Sequence, residues 1–205
     1  MKSGAGSKVE ETSGTGAARG TKNVVTFEVR GIGLGLLQHN PGGMSQRQGA
    51  MGAKRIPEPE VEAAAGVYRD ADGFIAMRAS AFRSAILSAC KNFKIGKDTA
   101  IARMAPGVLE VGDEFCRLLH PATKEPLTKW EVDIRRAVVQ RQAVLRARPL
   151  FREWLTYVTF EIDVDFVTEE QVLDRFCAAG KAKGVGDYRI EKRGRFGQFE
   201  VKIAR

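Results

Sequence analysis

Trp154-Leu155-Thr156-Tyr157-Val158-Thr159-Phe160-Glu161-Ile162-Asp163-Val164-Asp165, followed two residues later by Thr168-Glu169-Glu170-Gln171, is the stretch that decides the fold. Trp154, Thr156, Val158, Phe160, Ile162 and Val164 alternate with the mostly polar Thr159, Glu161, Asp163 and Asp165, the period of a strand with one buried face. Thr168 with Gln171 three residues on is a capping box, which satisfies the orphan amides at a helix start. Val172, Leu173, Phe176 and Cys177 continue at helical spacing, and Gly180 is the expected stop. The stretch reads as a strand running into a capped helix.

Working outward, Phe199, Val201 and Ile203 alternate with Glu200 and Lys202, a closing strand expected over 196–204. Val25, Phe27 and Val29 alternate with Thr26, Glu28 and Arg30, an opening strand over 23–30. Ser80 is the expected N-cap of a helix over 80–94 carrying Phe82, Ile86, Ala89 and Phe93 on one stripe. Val108–Leu119 reads as one or two strands, interrupted at Gly112-Asp113. The order is β-α-β-β-α-β, the split-βαβ arrangement. The expected fold class is therefore α+β, with a ferredoxin-like or RRM-like core: an antiparallel sheet, two helices on one face, the other face free. A single domain over 23–205 follows a Gly/Ser/Ala/Thr-rich tail over 1–22. A glycine- and proline-rich insertion at about 33–60, a hairpin over Val67–Met77 and a strand at Trp130–Ile134 decorate this core.

Charge is the strongest global feature. Lys plus Arg number 33 against 25 for Asp plus Glu, a net +8, while 43% of residues are hydrophobic. That apolar share excludes a wholly disordered chain. The charge favours a polyanionic partner. A membrane reading needs a long apolar run or a basic amphipathic helix, and neither is seen. The N-terminus lacks the apolar core of a secretory signal, and Cys90, Cys116 and Cys177 are odd in number and widely spaced. Reduced, buried thiols and a cytoplasmic location are expected.

Two constellations carry binding chemistry. Lys183, Gly184, Gly186, Tyr188, Arg189, Lys192, Arg193, Arg195 and Phe196 form a glycine-rich basic loop before the last strand, with Phe199 beyond it. Glycine amides can cradle phosphates, and cations interleaved with aromatic planes suit a single strand. Arg135, Arg136, Arg141, Arg146, Arg148 and Arg152 fall in one window without an acid, and the guanidinium fork binds two phosphate oxygens at once. The insertion adds Arg47, Lys54 and Arg55.

The run G-x-G-x7-G-x-x-G-x-F over Gly184–Phe199 resembles the glycine-rich loop of the RAMP superfamily, and Phe74–Ala85 resembles the segment leading into the first RAMP helix. The pattern is similar to that of small phage-type, stand-alone relatives of CRISPR backbone subunits. The resemblance implies a ferredoxin-like fold, RNA as the favoured strand, and self-association side by side along it into an oligomer or filament. Single-stranded DNA is the nearest alternative.

Enzyme readings are weaker. Gly31-Ile32-Gly33-Leu34-Gly35 follows a strand, but the third glycine of a dinucleotide loop is misplaced and Pro41-Gly42-Gly43 argues against the helix that loop needs. His39 stands shortly after the first strand, where some RAMP relatives place the histidine of a metal-independent endoribonuclease. Glu161, Asp163 and Asp165 read as a solvated acidic face rather than a metal site, and no zinc spacing is present. No cofactor and no metal are expected. The reading is a non-enzymatic, sequence-independent single-strand binder. Its rivals are the His39 ribonuclease and a decoy module that mimics a backbone subunit.

Overall fold

The computed structural model describes residues 21–43, 58–91, 93–139 and 142–204. The tail over 1–22, apart from Thr21 and Lys22, lies outside these, as do Arg47, Lys54, Arg55 and Arg141. In chain order, β1 (Lys22–Gly31) and β2 (Leu36–Leu37) precede α1 (Pro59–Ala65). Next, β3 (Ala76–Arg78) runs into α2 (Ala79–Ala89), and the small hairpin of β4 (Lys94–Ile95) and β5 (Asp98–Thr99) leads to α3 (Ala100–Gly107). Then come β6 (Val108–Glu110), β7 (Phe115–Arg117), β8 (Glu131–Val139), β9 (Gln142–Phe151) and β10 (Leu155–Asp163). Last are α4 (Glu169–Ala182), a 3-10 turn at Ile190–Lys192 and β11 (Phe199–Ile203).

The chain is α+β with antiparallel sheets. Its main sheet has the order β11-β1-β10-β6, every neighbour antiparallel. The inward residues of the alternation are buried: Val25, Phe27 and Val29 on β1, Val158, Phe160 and Ile162 on β10, Phe199 on β11. They pack against Phe82 of α2 and Phe176 of α4. The Phe176 ring lies 5.6 Å from Phe27, 6.2 Å from Phe82, 5.8 Å from Phe160 and 5.5 Å from Phe199, all near edge-on, the favoured arrangement of aromatic quadrupoles. A second sheet, β2-β9-β8, is built on the long β8–β9 hairpin.

The local details differ from the expectations in instructive ways. The α2 helix starts at Ala79 with Arg78 as N-cap, so Ser80 lies in the first turn and caps nothing. It ends at Ala89, where the Cys90 amide closes on Ile86 and Leu87, and Phe93 is left exposed beneath the Arg175 guanidinium. Val108–Leu119 is two strands in two sheets, β6 on β10 and β7 on β3, parted by Gly112 at φ +90°. The Val67–Met77 turn is present as a single bridge, Arg69 to Ile75, held by Asp70. Pro41–Gly43 is helical, but β2 stands between it and the Gly31–Gly35 run, so no strand-to-helix phosphate turn forms there.

The capping box at the start of α4 is complete: the Gln171 amide donates to Thr168 Oγ1 at 3.2 Å and the Thr168 amide to Gln171 Oε1 at 3.1 Å. The helix does not stop at Gly180. A Cβ there would collide with the Phe199 carbonyl oxygen, so this glycine lets α4 lie flat against β11. The left-handed turn after the helix belongs to Gly184, φ +71°.

Candidate nucleic-acid interface

The outer face of the main sheet carries few stacking planes and little surplus charge. On β1, β10 and β11, Tyr157 is its one aromatic side chain. Lys22 pairs with Glu161 at 2.7 Å, and Glu28 receives Lys202 at 3.1 Å and Lys124 at 3.7 Å. Each of these lysines already faces a carboxylate, which leaves the face little field to attract phosphates.

The glycine loop and the arginine run, by contrast, meet. The segment after α4 folds back on the β8–β9 hairpin: the Asp187 amide donates to the Leu37 carbonyl at 2.8 Å, the Gly197 amide to Gly35 at 2.8 Å, and Tyr188 Oη to the Arg136 carbonyl at 2.6 Å. Leu37, Leu150 and Phe196 form a small core of their own with Tyr188 packed on it. Glycine is required where the loop crosses itself. A Cβ on Gly194 would overlap the Tyr188 carbonyl, and Gly197 has φ +74° with the Val185 carbonyl against it.

This knot changes what the loop offers. The amides of Gly184, Val185, Asp187, Gly194, Phe196 and Gly197 all donate to carbonyls of the chain itself, so they are spent on folding rather than free for phosphate. Phe196 and Phe199, read as stacking planes, are buried at 3% and 0% exposure. The knot turns both inward, and Phe196 instead lies under the Arg135 guanidinium at 4.7 Å. Tyr188 is half-buried, its ring 5.0 Å from Arg148.

The arginine run is not uncompensated in three dimensions. Arg135 pairs with Asp133 at 2.5 Å, Arg146 with Glu62 at 2.9 Å, Arg148 with Asp187 at 2.5 Å and Arg152 with Glu131 at 2.9 Å. Arg189 and Lys183 share Glu191, at 3.0 and 3.9 Å. Arg148 is the most enclosed of them, and its Nη1 is buried without a hydrogen-bond partner. Four cations of the constellation remain exposed with no carboxylate partner among the described residues: Arg136 on β8, and Lys192, Arg193 and Arg195 on the loop. Arg136 and Arg195 flank one contact, because the Arg136 carbonyl holds Tyr188 and Arg195 precedes Phe196, which lies under Arg135.

Behind this junction lies a pocket of about 330 Å³. Met77 and the α2 residues Ala81 and Ala85 form one wall, and the backbone of Gly184–Gly186 the other. His39, Tyr68, Ser84, Asp187, Arg189 and Glu191 supply its polar groups. His39 is half-buried, and burial holds its pKa below the usual imidazole value. Glu191 titrates below the ordinary carboxylate range, because Ser88 donates a hydrogen bond to it and Arg189 and Lys183 lie close by. Tyr68, Ser84, Asp187 and Glu191 did not stand out in the sequence. Glu62 had one signal, an acid at a helical position between Val61 and Ala63.

Among the described residues there is no cluster of three metal-ligating side chains, and no helix is long and apolar enough to cross a membrane. No protein-family model matches this chain, and no curated protein matches it.

Proposed function

We propose that this protein binds single-stranded nucleic acid through the junction of the glycine loop and the β8–β9 hairpin, without catalysing a reaction on it. One observation carries the reading. Four exposed cations, Lys192, Arg193 and Arg195 on the loop and Arg136 on the strand it docks against, have no carboxylate partner among the described residues, while the neighbouring arginines are neutralised by carboxylates. Unpaired cations grouped on a rigid support track a phosphate backbone; paired ones first need their partners displaced. The strand order β11-β1-β10-β6, with α2 and α4 as crossovers on one face, supports a ferredoxin-like core and with it the resemblance to the RAMP superfamily. That resemblance favours RNA over single-stranded DNA. It also favours side-by-side assembly, for which β8, the outer strand of its sheet, presents an edge that the Tyr188 hydroxyl meets at the Arg136 carbonyl.

The test is fluorescence anisotropy of labelled RNA and DNA 20-mers across a salt series, with light scattering to follow assembly. Affinity that falls steeply with salt and ignores overall sequence is expected. Absent or salt-insensitive binding refutes the proposal. A second reading, a metal-independent endoribonuclease, is favoured by the place of His39 in the pocket beside the glycine loop, in the neutral state a general base needs. Incubation of RNA in EDTA decides it: cleavage present in the wild type and lost in His39→Ala supports this reading, and no cleavage removes it.

A further inference from the structure

Cations alone do not separate a single strand from a duplex, because both present a phosphate backbone. Selectivity for a single strand needs a flat surface against which an unpaired base stacks. The rings at the junction are largely withdrawn: Phe196 is 3% exposed, and Tyr188 is half-buried with its hydroxyl on the Arg136 carbonyl. What lies over Phe196 is the Arg135 guanidinium, 4.7 Å from the ring centre.

That guanidinium is held on two sides. Asp133 stands two residues earlier on β8, on the same face of the strand. Its carboxylate receives Nε at 2.5 Å and Nη2 at 2.9 Å, the two-point fork that fixes the orientation of the plane. Phe196 supports the group through the attraction between a cation and a ring, and is itself fixed in the small core with Leu37 and Leu150. With one edge and one broad face engaged, the Arg135 side chain is still 43% exposed. That exposure falls to the opposite face and to Nη1. The ion pair that keeps this arginine from phosphate leaves the outer face untouched, because a carboxylate binds in the guanidinium plane. A guanidinium is planar, weakly hydrated and stacks on π systems. Arg195, exposed and without a carboxylate partner among the described residues, directly precedes Phe196 in the chain.

The geometry points to Arg135 as a stacking platform for one unpaired base of the bound strand, with the base on the outer face of the guanidinium, Phe196 behind it and the adjoining phosphate on Arg195. The inference rests on the single-strand reading above and adds to it the contact that tells a strand with bases from a bare phosphate backbone. Because the contact is to the face of the base, it carries no sequence preference of its own.

The experiment compares an oligoadenylate 12-mer with a 12-mer of abasic ribose phosphates, by anisotropy over a salt series. The wild type should bind oligoadenylate about fivefold more tightly than the abasic strand, the size of one exposed cation–π contact. Two substitutions at this exposed position remove the plane in different ways. Arg135→Lys keeps the charge, and Arg135→Met keeps an apolar cover over Phe196. Both should bring the ratio of the two affinities close to one, and in Arg135→Lys the abasic strand should keep its wild-type affinity and salt slope. Equal binding of the two strands by the wild type overturns the platform and leaves phosphate binding standing. So does a preference that survives both substitutions. If neither strand binds, the single-strand reading falls and the platform with it.

Discussion

The division of the arginines into paired and unpaired sets makes the sharpest prediction. Replace the exposed, unpartnered cations together, in Arg136→Gln, Lys192→Gln, Arg193→Gln and Arg195→Gln, and compare them with a second variant that replaces the paired set Arg135, Arg146 and Arg152 by Gln. Each single-strand phosphate neutralised contributes about 0.7 to the slope of log affinity against log salt, so four contacts contribute about 2.8, or roughly a 50-fold loss between about 50 and 200 mM salt. The first variant should lose that portion of the slope, and its affinity at low salt should fall in proportion. The second should keep most of the slope, because each of its guanidiniums already faces a carboxylate at 2.5 to 2.9 Å and releases few counterions on binding. Both sets remove net positive charge of similar size, so a purely global charge effect predicts nearly equal losses. Anisotropy titrations at five salt concentrations give the two slopes. If the paired set lowers the slope as much as the unpaired set, the ion pairs open on binding and the reasoning from the resting geometry is wrong.

Three further outcomes follow from the packing. Phe176→Ala removes the ring that touches four others and should cost about 4–5 kcal/mol in urea unfolding, near the top of the range for aromatic truncation. Asp187→Asn leaves the Arg148 guanidinium enclosed without its counter-charge. It should cost about 2–3 kcal/mol, below the value for a fully buried pair because the Asp187 side chain is 33% exposed, and Arg148→Met in the same chain should recover most of the loss. For His39, burial favours the neutral imidazole, so the folded pKa lies below the unfolded 6.5 and the unfolded chain binds more protons in that interval. Stability should therefore rise as pH increases through the window just below 6.5 and flatten above it, and melting curves of His39→Gln should lack that rise.

Local chemistry was legible in the sequence where it needed no partner. The alternation over Trp154–Val164 and the capping box at Thr168 are set by neighbours within a few residues, and β10 and the start of α4 stand where that pattern placed them. The misreadings have tertiary causes. Gly180 resembles a helix stop, but its lack of a Cβ serves the contact with the Phe199 carbonyl. Phe196 resembles an exposed stacking plane because it sits among charges, yet the loop crossing at Gly194 and Gly197 turns it into a small core with Leu37 and Leu150. The arginine window looks uncompensated because two of its acids, Glu62 and Asp187, come from α1 and from the glycine loop, while the other two, Glu131 and Asp133, stand on β8 just ahead of it. No one-dimensional count brings Glu62 or Asp187 to those arginines.

The same contacts that withdraw those arginines from phosphate give the junction its rigidity. The Arg146–Glu62 pair anchors α1 to β9, where Glu62 also receives the Ala147 amide at 3.1 Å. The Arg148–Asp187 pair and the Asp187 amide fix the loop to β9 and to the Leu37 carbonyl. A loop of eight or nine residues carrying four cations would repel itself and lose entropy on binding if it were free. Held at one end by the Arg148–Asp187 pair and at both by amide-to-carbonyl crossings, it has already lost that entropy in folding. The exposed cations are thus presented at fixed spacing. On the proposed reading, strand binding depends on the arginines that hold the junction together as much as on those that meet the phosphates.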